Sequence, residues 1–346
     1  MEQMIAAAAL RGASDLHLIC GLTPKIRVDG SLADLDGRPP LTHSECERLG
    51  EELSGGKVLG PCGELDLGRT IAGVRVRINL FRQQGHLSAA VRLLSDHIPP
   101  LAELGLPPAV AEFPLLLRGI VLITGETGSG KSTTLAALLD EINRTRGGHL
   151  VTLEDPIEYL YTPDRCIINQ REIGKDAASY AHGLRAALRE DPDILLIGEM
   201  RDMDTIETAL TAAETGHLVF STLHTCSAAD SIDRMVSVFP QGRQQQIRMQ
   251  LSMTLRAVVS QQLLPRAAGH GRVLACEVMI VNAAIRNLIR EGKTPQIVNT
   301  ISTSAKDGSI TMDNALIKLA QGRVITGAVA REAASDLDYV KKSIPM

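Results

Sequence analysis

The chain has 346 residues, more than a single hydrophobic core usually serves, so we expect two main domains. Its 36 lysines and arginines against 40 aspartates and glutamates leave a net charge of −4, and only 2% of the residues are aromatic. This composition disfavours a general nucleic-acid binder, which needs positive charge for phosphates and rings for base stacking. No stretch approaches the roughly 20 apolar residues of a membrane span, and the six cysteines include no C-x-x-C pair. We therefore expect a soluble, cytoplasmic protein with free thiols that could dock on a membrane complex.

Residues 1–96 are predicted to form a small α+β domain. After a first helix we expect two short strands over 15–19 and 25–28. A second helix is expected over 43–53, and a hairpin over 74–93. The hairpin follows from apolar residues at every second position between Val74 and Leu80, and from the turn residues Gln83-Gln84-Gly85. One face of the hairpin is rich in arginine, with Arg75, Arg77, Arg82 and nearby Arg92.

A linker is predicted at 97–112, where two proline pairs stand, and an α/β core is predicted to follow from 113 to 346. Strands are expected over 119–124, 149–154, 193–198 and 218–222, and helices over 132–144, 180–189 and 204–215. The strands are continuous apolar runs, which indicates that helices cover both faces of the sheet. Beyond Ala228 we expect helices, interrupted by one strand over 272–279.

Residues 125–132 match the phosphate-binding pattern G-x-x-x-x-G-K-[ST], between a predicted strand and a predicted helix. In such a loop the glycines let the backbone curl, the lysine contacts the β- and γ-phosphates, and the hydroxyl after it can bind Mg²⁺. The N–H groups that open the following helix are further donors for phosphate. The pattern predicts these nucleotide-binding residues: Gly125, Thr127, Gly128, Ser129, Gly130, Lys131, Ser132 and Thr133.

Nucleotide hydrolysis also needs a metal and a positioned water, for which acids at the ends of neighbouring strands are candidates. Glu199 ends one apolar strand, although a strand-end acid could also only cap the next turn. Another strand ends in Glu154, Asp155 and nearby Glu158. At least one of these three should face the site, because so dense a group of carboxylates is costly unless Mg²⁺ or arginine lies near. His224 ends a further strand, where it could contact a γ-phosphate.

A series of motifs resembles those of the type II/IV secretion ATPases. The phosphate-binding loop, Glu-Asp-Pro-Ile-Glu at 154–158, Ile-Gly-Glu-Met-Arg-Asp at 197–202 and Thr-Gly-His-Leu-Val-Phe-Ser-Thr-Leu-His-Thr at 215–225 look like the Walker A, Asp box, Walker B and His box. Segments 12–18 and 284–291 are similar to sequences of the branch that powers type IV pilus retraction, so the resemblance covers nearly the whole chain. The related pilus-assembly ATPases usually carry a larger N-terminal extension and a four-cysteine zinc site, and their absence favours retraction.

The resemblance implies an α/β protein with an N-terminal PAS-like α+β domain and a RecA-like P-loop ATPase domain that ends in helices. It also implies a homohexameric ring that binds ATP or ADP with Mg²⁺ and drives pilin depolymerisation. Such a ring would work on a platform protein, at the cytoplasmic face of the inner membrane. By position the resemblance assigns phosphate and Mg²⁺ binding to Lys131, Ser132 and Thr133, water activation to Glu158, support of Mg²⁺ and water to Glu199, and sensing of the γ-phosphate to His224.

Two other functions stay open. A RecA-like nucleic-acid motor shares the loop and the ring assembly, but the acidic balance and scarce aromatic residues count against it. A nucleotide-gated scaffold would bind ATP without turnover and would not need a water-activating acid such as Glu158. Leu53-Ser54-Gly55-Gly56-Lys57 resembles the ABC-transporter signature, but it precedes the phosphate-binding loop, so we interpret it as the glycine cap of a helix.

The predicted site contains many carboxylates but only Lys131 as an assured cation, and phosphoryl transfer gains from an arginine of the same or a neighbouring subunit. We expect Arg77 and Arg92 to act in trans, because they fall at matching positions of the related sequences, although arginines on a strand are often only solvated charge.

The helix predicted at 284–291 has an apolar face of Ala284, Ile285, Leu288 and Ile289, and its other residues are Arg286, Asn287, Arg290 and Glu291. Spacing alone fits an ordinary packed helix, whereas the resemblance favours one that transmits the nucleotide state to the pilus machinery.

Overall fold

The computed structural model describes residues 1–28, 31–35, 37–60, 62–94 and 97–344. The chain forms two compact units, Met1–Ile98 with Pro156–Leu160, and Pro99–Asp155 with Tyr161–Met346. The predicted boundary at residue 96 lies outside the described residues, and the predicted domain limits stay a prediction.

The first unit contains one antiparallel sheet with strand order β3-β2-β1-β6-β5-β4. Its elements are α1 (Glu2–Leu10), β1 (Asp15–Leu18), β2 (Lys25–Val28), β3 (Ser31–Asp34), α2 (His43–Ser54), β4 (Leu65–Ile71), β5 (Val74–Gln83) and β6 (His86–Leu94). Every second residue of β5 from Val76 to Leu80 is buried, and α1 and α2 contribute to the same core. The predicted hairpin is therefore confirmed, and its turn places Gln84 at φ 49°.

The predicted glycine cap is also confirmed. Helix α2 begins with a capping box, in which the Thr42 side chain and the Glu45 side chain each accept from the other's backbone N–H. It ends at Gly55 in the left-handed conformation, with φ 63°. The Leu53–Lys57 segment thus has a structural explanation.

The second unit contains a sheet with strand order β13-β12-β7-β11-β10-β8-β9, in which only β13 runs antiparallel to its neighbour among the pairs described. The strands are β7 (Gly119–Thr124), β8 (Gly148–Glu154), β9 (Cys166–Glu172), β10 (Ile194–Ile197), β11 (Leu218–Leu223), β12 (Leu255–Pro265) and β13 (Arg272–Ile280). The α-helices are α3 (Lys131–Thr145), α4 (Tyr180–Ala187), α5 (Met203–Glu214), α6 (Ala228–Ser237), α7 (Gln241–Thr254), α8 (Ala283–Glu291), α9 (Ile297–Thr303), α10 (Met312–Gln321), α11 (Gly327–Glu332) and α12 (Leu337–Ser343).

Helices cover both faces of this sheet, as the continuous apolar strands predict. Every residue of β7, β10 and β11 is buried, and separate hydrophobic clusters lie against the two faces. None of the described helices combines the length and apolar character needed to cross a bilayer.

The prediction of helices with a single strand beyond Ala228 is wrong, because β12 is a long strand paired with β7 and β13. Its Leu255, Val258 and Val259 occur at helical spacing, since burial on both faces removes the alternation that reveals a strand. Helix α7 ends at Thr254 and β12 starts at the next residue, so no turn residue marks the boundary. Strand β9, on the edge of the sheet, was not predicted either.

Candidate nucleotide-binding site

The phosphate-binding loop connects β7 to α3 at the edge of the sheet where the parallel strands end. Gly125 has φ +138°, and a Cβ atom there would lie 2.4 Å from the Gln261 carbonyl oxygen and 2.7 Å from Ser129 Oγ. Gly130 has φ +94° and precedes the first residue of α3. The loop can therefore follow this path only with glycine at its first position, as the motif predicts.

The Lys131 ammonium closes the loop. It is 9% exposed and donates hydrogen bonds to the carbonyl oxygens of Gly125 at 2.7 Å and Glu126 at 2.8 Å. The Ser129 hydroxyl is buried and has no hydrogen-bond partner among the described residues. An orphaned hydroxyl beside a buried ammonium fits a loop built to receive an anion, because a phosphate oxygen can accept from both.

Strand order brings His224 and Glu199 to the same edge as the loop. Strand β11, which ends just before His224, lies between β7 and β10, and Glu199 follows β10. His224 Nε2 is 3.8 Å from Glu199 Oε2. Burial and then the charge of Lys131 lower the pKa of His224, while Glu199 acts in the opposite direction. The imidazole is therefore held mainly neutral near pH 7, with a ring nitrogen able to donate or accept.

Arg201 is a second cation in this site, and the expectation that Lys131 is the only assured one is wrong. Arg201 Nε lies 2.8 Å from Glu199 Oε2, and the Arg201 charge also contributes to the lowered pKa of His224. Its position two residues beyond a strand-end acid is the sequence feature that could have identified it. Its side chain is 68% exposed, so the guanidinium has room to change partner.

Tyr180, at the start of α4, is a further site residue that sequence reasoning missed. A Cβ at Gly198 would lie 2.9 Å from the Tyr180 hydroxyl, so the ring rests against the strand end that carries Glu199. Burial, followed by the charges of Glu199, Asp155 and Glu154, raises the pKa of Tyr180. The phenol therefore stays protonated and can donate a hydrogen bond beside these carboxylates.

The three acids of the predicted Asp box have different surroundings. Glu154 accepts hydrogen bonds from the Thr152 hydroxyl at 2.7 Å and from Gln170 Nε2 at 3.3 Å, and Asp155 is exposed. Glu158 lies in Pro156–Leu160, which packs with the first unit. Its assignment to water activation stays a prediction.

The structure places Arg77 and Arg92 directly opposite each other on β5 and β6. Two like charges in this position would destabilise the sheet, but each has its own carboxylate. Arg77 pairs with Asp66 at 2.7 Å, and Arg92 donates to Asp15 at 3.0 Å. Burial opposes ionisation of Asp15, but hydrogen bonds from Ser14 and Arg92 hold its pKa below the usual value.

The other two arginines differ from this pair. Arg82 does not share the face of Arg75 and Arg77, because it falls on the side of β5 that faces α2, where it forms two hydrogen bonds with Glu47. The prediction that places all of them on one face is therefore wrong for Arg82. Arg75 donates two hydrogen bonds to the Ile157 carbonyl oxygen, from Nη2 at 3.0 Å and from Nε at 3.2 Å.

Helix α8 buries only part of the predicted apolar face. Ile285 and Ile289 are fully buried and Leu288 is partly buried, but Ala284 is exposed, which corrects the prediction for that residue. Successive residues of a helix are rotated by about 100°, so Ala284 falls outside a stripe centred on the two isoleucines.

No group of three or more histidine, cysteine, aspartate or glutamate side chains that could hold a metal ion occurs among the described residues. Mg²⁺ does not need such a group, because it usually keeps its waters and takes one or two protein ligands together with phosphate oxygens. Ser132, partly exposed at the start of α3, and Glu199 stay the predicted Mg²⁺ ligands.

The family profile of the "Type II/IV secretion system protein" matches residues 74–296. The chain belongs to this family. It is 45% identical to the "Type IV pilus retractation ATPase PilT" of Pseudomonas aeruginosa, over 97% of either chain. It is 42% identical to a "Twitching motility protein" of Neisseria gonorrhoeae, over 91% of this chain and 85% of that protein. The crystal structure of the pilus retraction motor PilT with bound ADP is similar with a TM-score of 0.89 and 44% identity, covering 99% of either chain.

Proposed function

We propose that this protein is an ATPase that forms a ring and powers type IV pilus retraction by driving pilin depolymerisation. The observation that carries the proposal is the convergence of Lys131, Glu199 and His224 at one sheet edge, with His224 3.8 Å from Glu199 and influenced by the Lys131 charge. Similarity to a pilus retraction ATPase over nearly the whole chain supports the assignment to retraction.

Nucleotide binding rests on the phosphate-binding loop. The Lys131 ammonium exchanges the two loop carbonyls for β- and γ-phosphate oxygens, and the buried Ser129 hydroxyl gains a partner. Ser132 and Glu199 would hold Mg²⁺, directly or through water. When bound, Mg²⁺ neutralises charge on the β- and γ-phosphates.

Hydrolysis requires that a water be oriented and deprotonated near the γ-phosphate. We assign this role to Glu158, while the neutral His224 imidazole senses the γ-phosphate by a hydrogen bond. Arg201, now paired with Glu199, can exchange that carboxylate for phosphate as charge develops in the transition state. Tyr180 keeps the Glu199 backbone in place by packing on Gly198.

Three variants test the enzyme proposal by steady-state phosphate release with parallel nucleotide-binding measurements. Lys131→Ala should lose turnover and bind nucleotide more weakly, because each lost charge-assisted hydrogen bond is worth about 1.5–3 kcal/mol. Glu158→Gln should bind ATP nearly normally and turn over at least about 10²-fold more slowly. Glu207→Gln, outside the site, is the matched control. Normal ATP hydrolysis by Lys131→Ala refutes the site. A wild-type protein that binds ATP but does not hydrolyse it would favour a scaffold.

The ring is proposed to be a homohexamer that works on a platform protein at the cytoplasmic face of the inner membrane. Arg77 and Arg92 complete the neighbouring subunit's site, exchanging Asp66 and Asp15 for the neighbour's γ-phosphate. Rings should be mixed from an Arg77→Ala, Arg92→Ala chain and a Lys131→Ala chain, each inactive alone. Recovered activity supports action in trans, and no recovery despite proven co-assembly refutes it.

Helix α8 is proposed to transmit the nucleotide state to the pilus machinery. Its buried side carries Ile285 and Ile289, whereas Asn287 and Glu291 form a hydrogen bond of 2.9 Å on the exposed side. A double Asn287→Ala, Glu291→Ala variant should keep ATP hydrolysis and lose twitching motility. Unchanged motility would leave α8 with a packing role only.

A further inference from the structure

Glu277 is a buried carboxylate outside the nucleotide-binding site. It lies on β13 and is 5% exposed. Its Oε1 accepts a hydrogen bond of 2.8 Å from the backbone N–H of Ala228, the first residue of α6. The backbone N–H of Met312, the first residue of α10, also faces this carboxylate and acts to lower its pKa. One side chain thus caps α6 and lies at the N-terminus of α10, although the two helices are distant in sequence.

Such a carboxylate does more than fill the core. Burying a charge is costly, and the positive ends of two helices offset part of that cost. Burial raises the pKa of Glu277, the backbone N–H groups of Ala228 and Met312 act against this rise, and the nearby acids Asp230 and Asp313 add to it. An apolar residue would meet the needs of packing alone, so the geometry indicates a specific link between α6 and α10.

On one side the link leads to His224. Only three residues separate His224 from Ala228, and they are held by side-chain hydrogen bonds. The Thr225 and Ser231 hydroxyls lie 2.7 Å apart, and the Ser227 hydroxyl accepts from the Asp230 N–H at 3.1 Å. These hydrogen bonds connect the residue after His224 to the start of α6, whose first N–H Glu277 accepts.

The same carboxylate is also connected to the phosphate-binding loop. Glu277 is paired with Ser260 across β13 and β12. The Ser260 hydroxyl lies 2.9 Å from the hydroxyl of Thr124, the last residue of β7 before the loop. Both nucleotide-contacting segments of the second unit thus reach Glu277 through short contacts.

On the other side the link leads to the C-terminal helices. Next to Glu277, Val278 forms a backbone bridge with Ile310, just before α10. Asp313 in the first turn of α10 accepts hydrogen bonds from the N–H groups of Ser335 and Asp336, which lead into α12. Helices α10, α11 and α12 share one hydrophobic cluster, in which they also pack against Leu264 of β12 and Ala275 of β13.

We propose that Glu277 is a positioning residue that couples the His224 segment to the body formed by α10, α11 and α12. The proposal rests on the proposed ATPase function, because it takes the γ-phosphate as the group that displaces His224. It extends that function to the C-terminal helices, for which the sequence predicted no role.

Amide hydrogen exchange measures this coupling directly. The exchange of the α10 amides is compared with and without a non-hydrolysable ATP analogue plus Mg²⁺, in the full chain. Wild type should show a change of at least about fivefold, the lower end of typical coupling between sites. Glu277→Gln should bind the analogue within about threefold of wild type but lose the change at α10, because its amide offers one acceptor instead of two. A purely structural role would alter α10 exchange equally with and without the analogue.

Glu172→Gln is the matched control, since Glu172 is also 5% exposed but lies on β9, at the other edge of the sheet. The His224 side chain is 49% exposed, so His224→Ala should not disturb folding. With Glu277 intact, this variant should also lose the nucleotide-dependent change in α10 exchange. It tests the proposal if Glu277→Gln does not fold. A response that persists in either variant overturns the proposal, as does a wild type that binds the analogue without any response. A wild type that does not bind the analogue overturns the ATPase function and this inference with it.

Discussion

Alanine substitutions along α8 separate the contribution of this helix to stability from its proposed role in coupling. The Ile289 side chain is fully buried, with 0% of it accessible to solvent. Ile289→Ala should therefore lower the free energy of unfolding by about 3 kcal/mol, through lost burial and a residual cavity. Leu288 is only partly buried, and Leu288→Ala should cost about 1 kcal/mol. Asn287→Ala, on the exposed side, should change stability by less than about 0.5 kcal/mol.

These costs can be measured as shifts in thermal unfolding. A unit of this size loses about 2–4 °C in melting temperature per kcal/mol, so the expected losses are about 6–12 °C for Ile289→Ala and about 2–4 °C for Leu288→Ala. Because the chain has two units, the transition to follow in calorimetry is the one that a bound nucleotide raises. Equal losses for the two variants, or a loss below about 2 °C for Ile289→Ala, would refute the placement of Ile289 in the core.

Three further predictions concern the nucleotide-binding site and the capping carboxylate. Gly125→Ala should abolish nucleotide binding because its Cβ would lie 2.4 Å from the Gln261 carbonyl oxygen. Gly128→Ala, with open space at φ +82°, should cost only about 1–2 kcal/mol of backbone strain, so equal nucleotide affinities of the two variants would contradict this reasoning. Arg201→Ala should slow ATP turnover by about tenfold or more with little change in nucleotide affinity, and an unaltered turnover rate would remove Arg201 from the site. The raised pKa of Glu277 means that the folded state keeps this proton to higher pH than the unfolded state. Glu277 therefore contributes stability that is fully present below the unfolded pKa of about 4.3 and is lost as pH rises through the folded pKa. Between these two pKa values the free energy of unfolding should depend less on pH in Glu277→Gln than in wild type, and an unchanged dependence would show that Glu277 titrates normally.

Several features of this protein could be predicted because neighbouring residues determine them. The strand, loop and helix around Lys131 need only a buried run, glycines at the turn and helical spacing, and all occur within about thirty residues. The hairpin from Val74 to Leu94 and the cap at Gly55 are equally local. The likeness to the secretion ATPase family followed from these motifs and their order.

Other features depend on which strands become neighbours, and short stretches of sequence do not encode that. Strand order alone puts β11 between β7 and β10 and so brings His224 beside Glu199, and the turn after β10 then brings Arg201 onto the same carboxylate. Strand β12 was mistaken for helix because it is buried on both faces, a property of its place in the sheet and not of its residues.

The contacts of Glu277 are decided in the same way. In the sequence it is one acid in an apolar run, far from both Ala228 and Met312. Only the packing of α6 and α10 against β13 brings two helix N-termini to its carboxylate, because the free energy of that arrangement comes from burial of their apolar faces and not from the residues near Glu277. The sequence by itself therefore determined the chemistry of the phosphate-binding loop, and the tertiary structure decided which side chains surround it and which helices are connected to it.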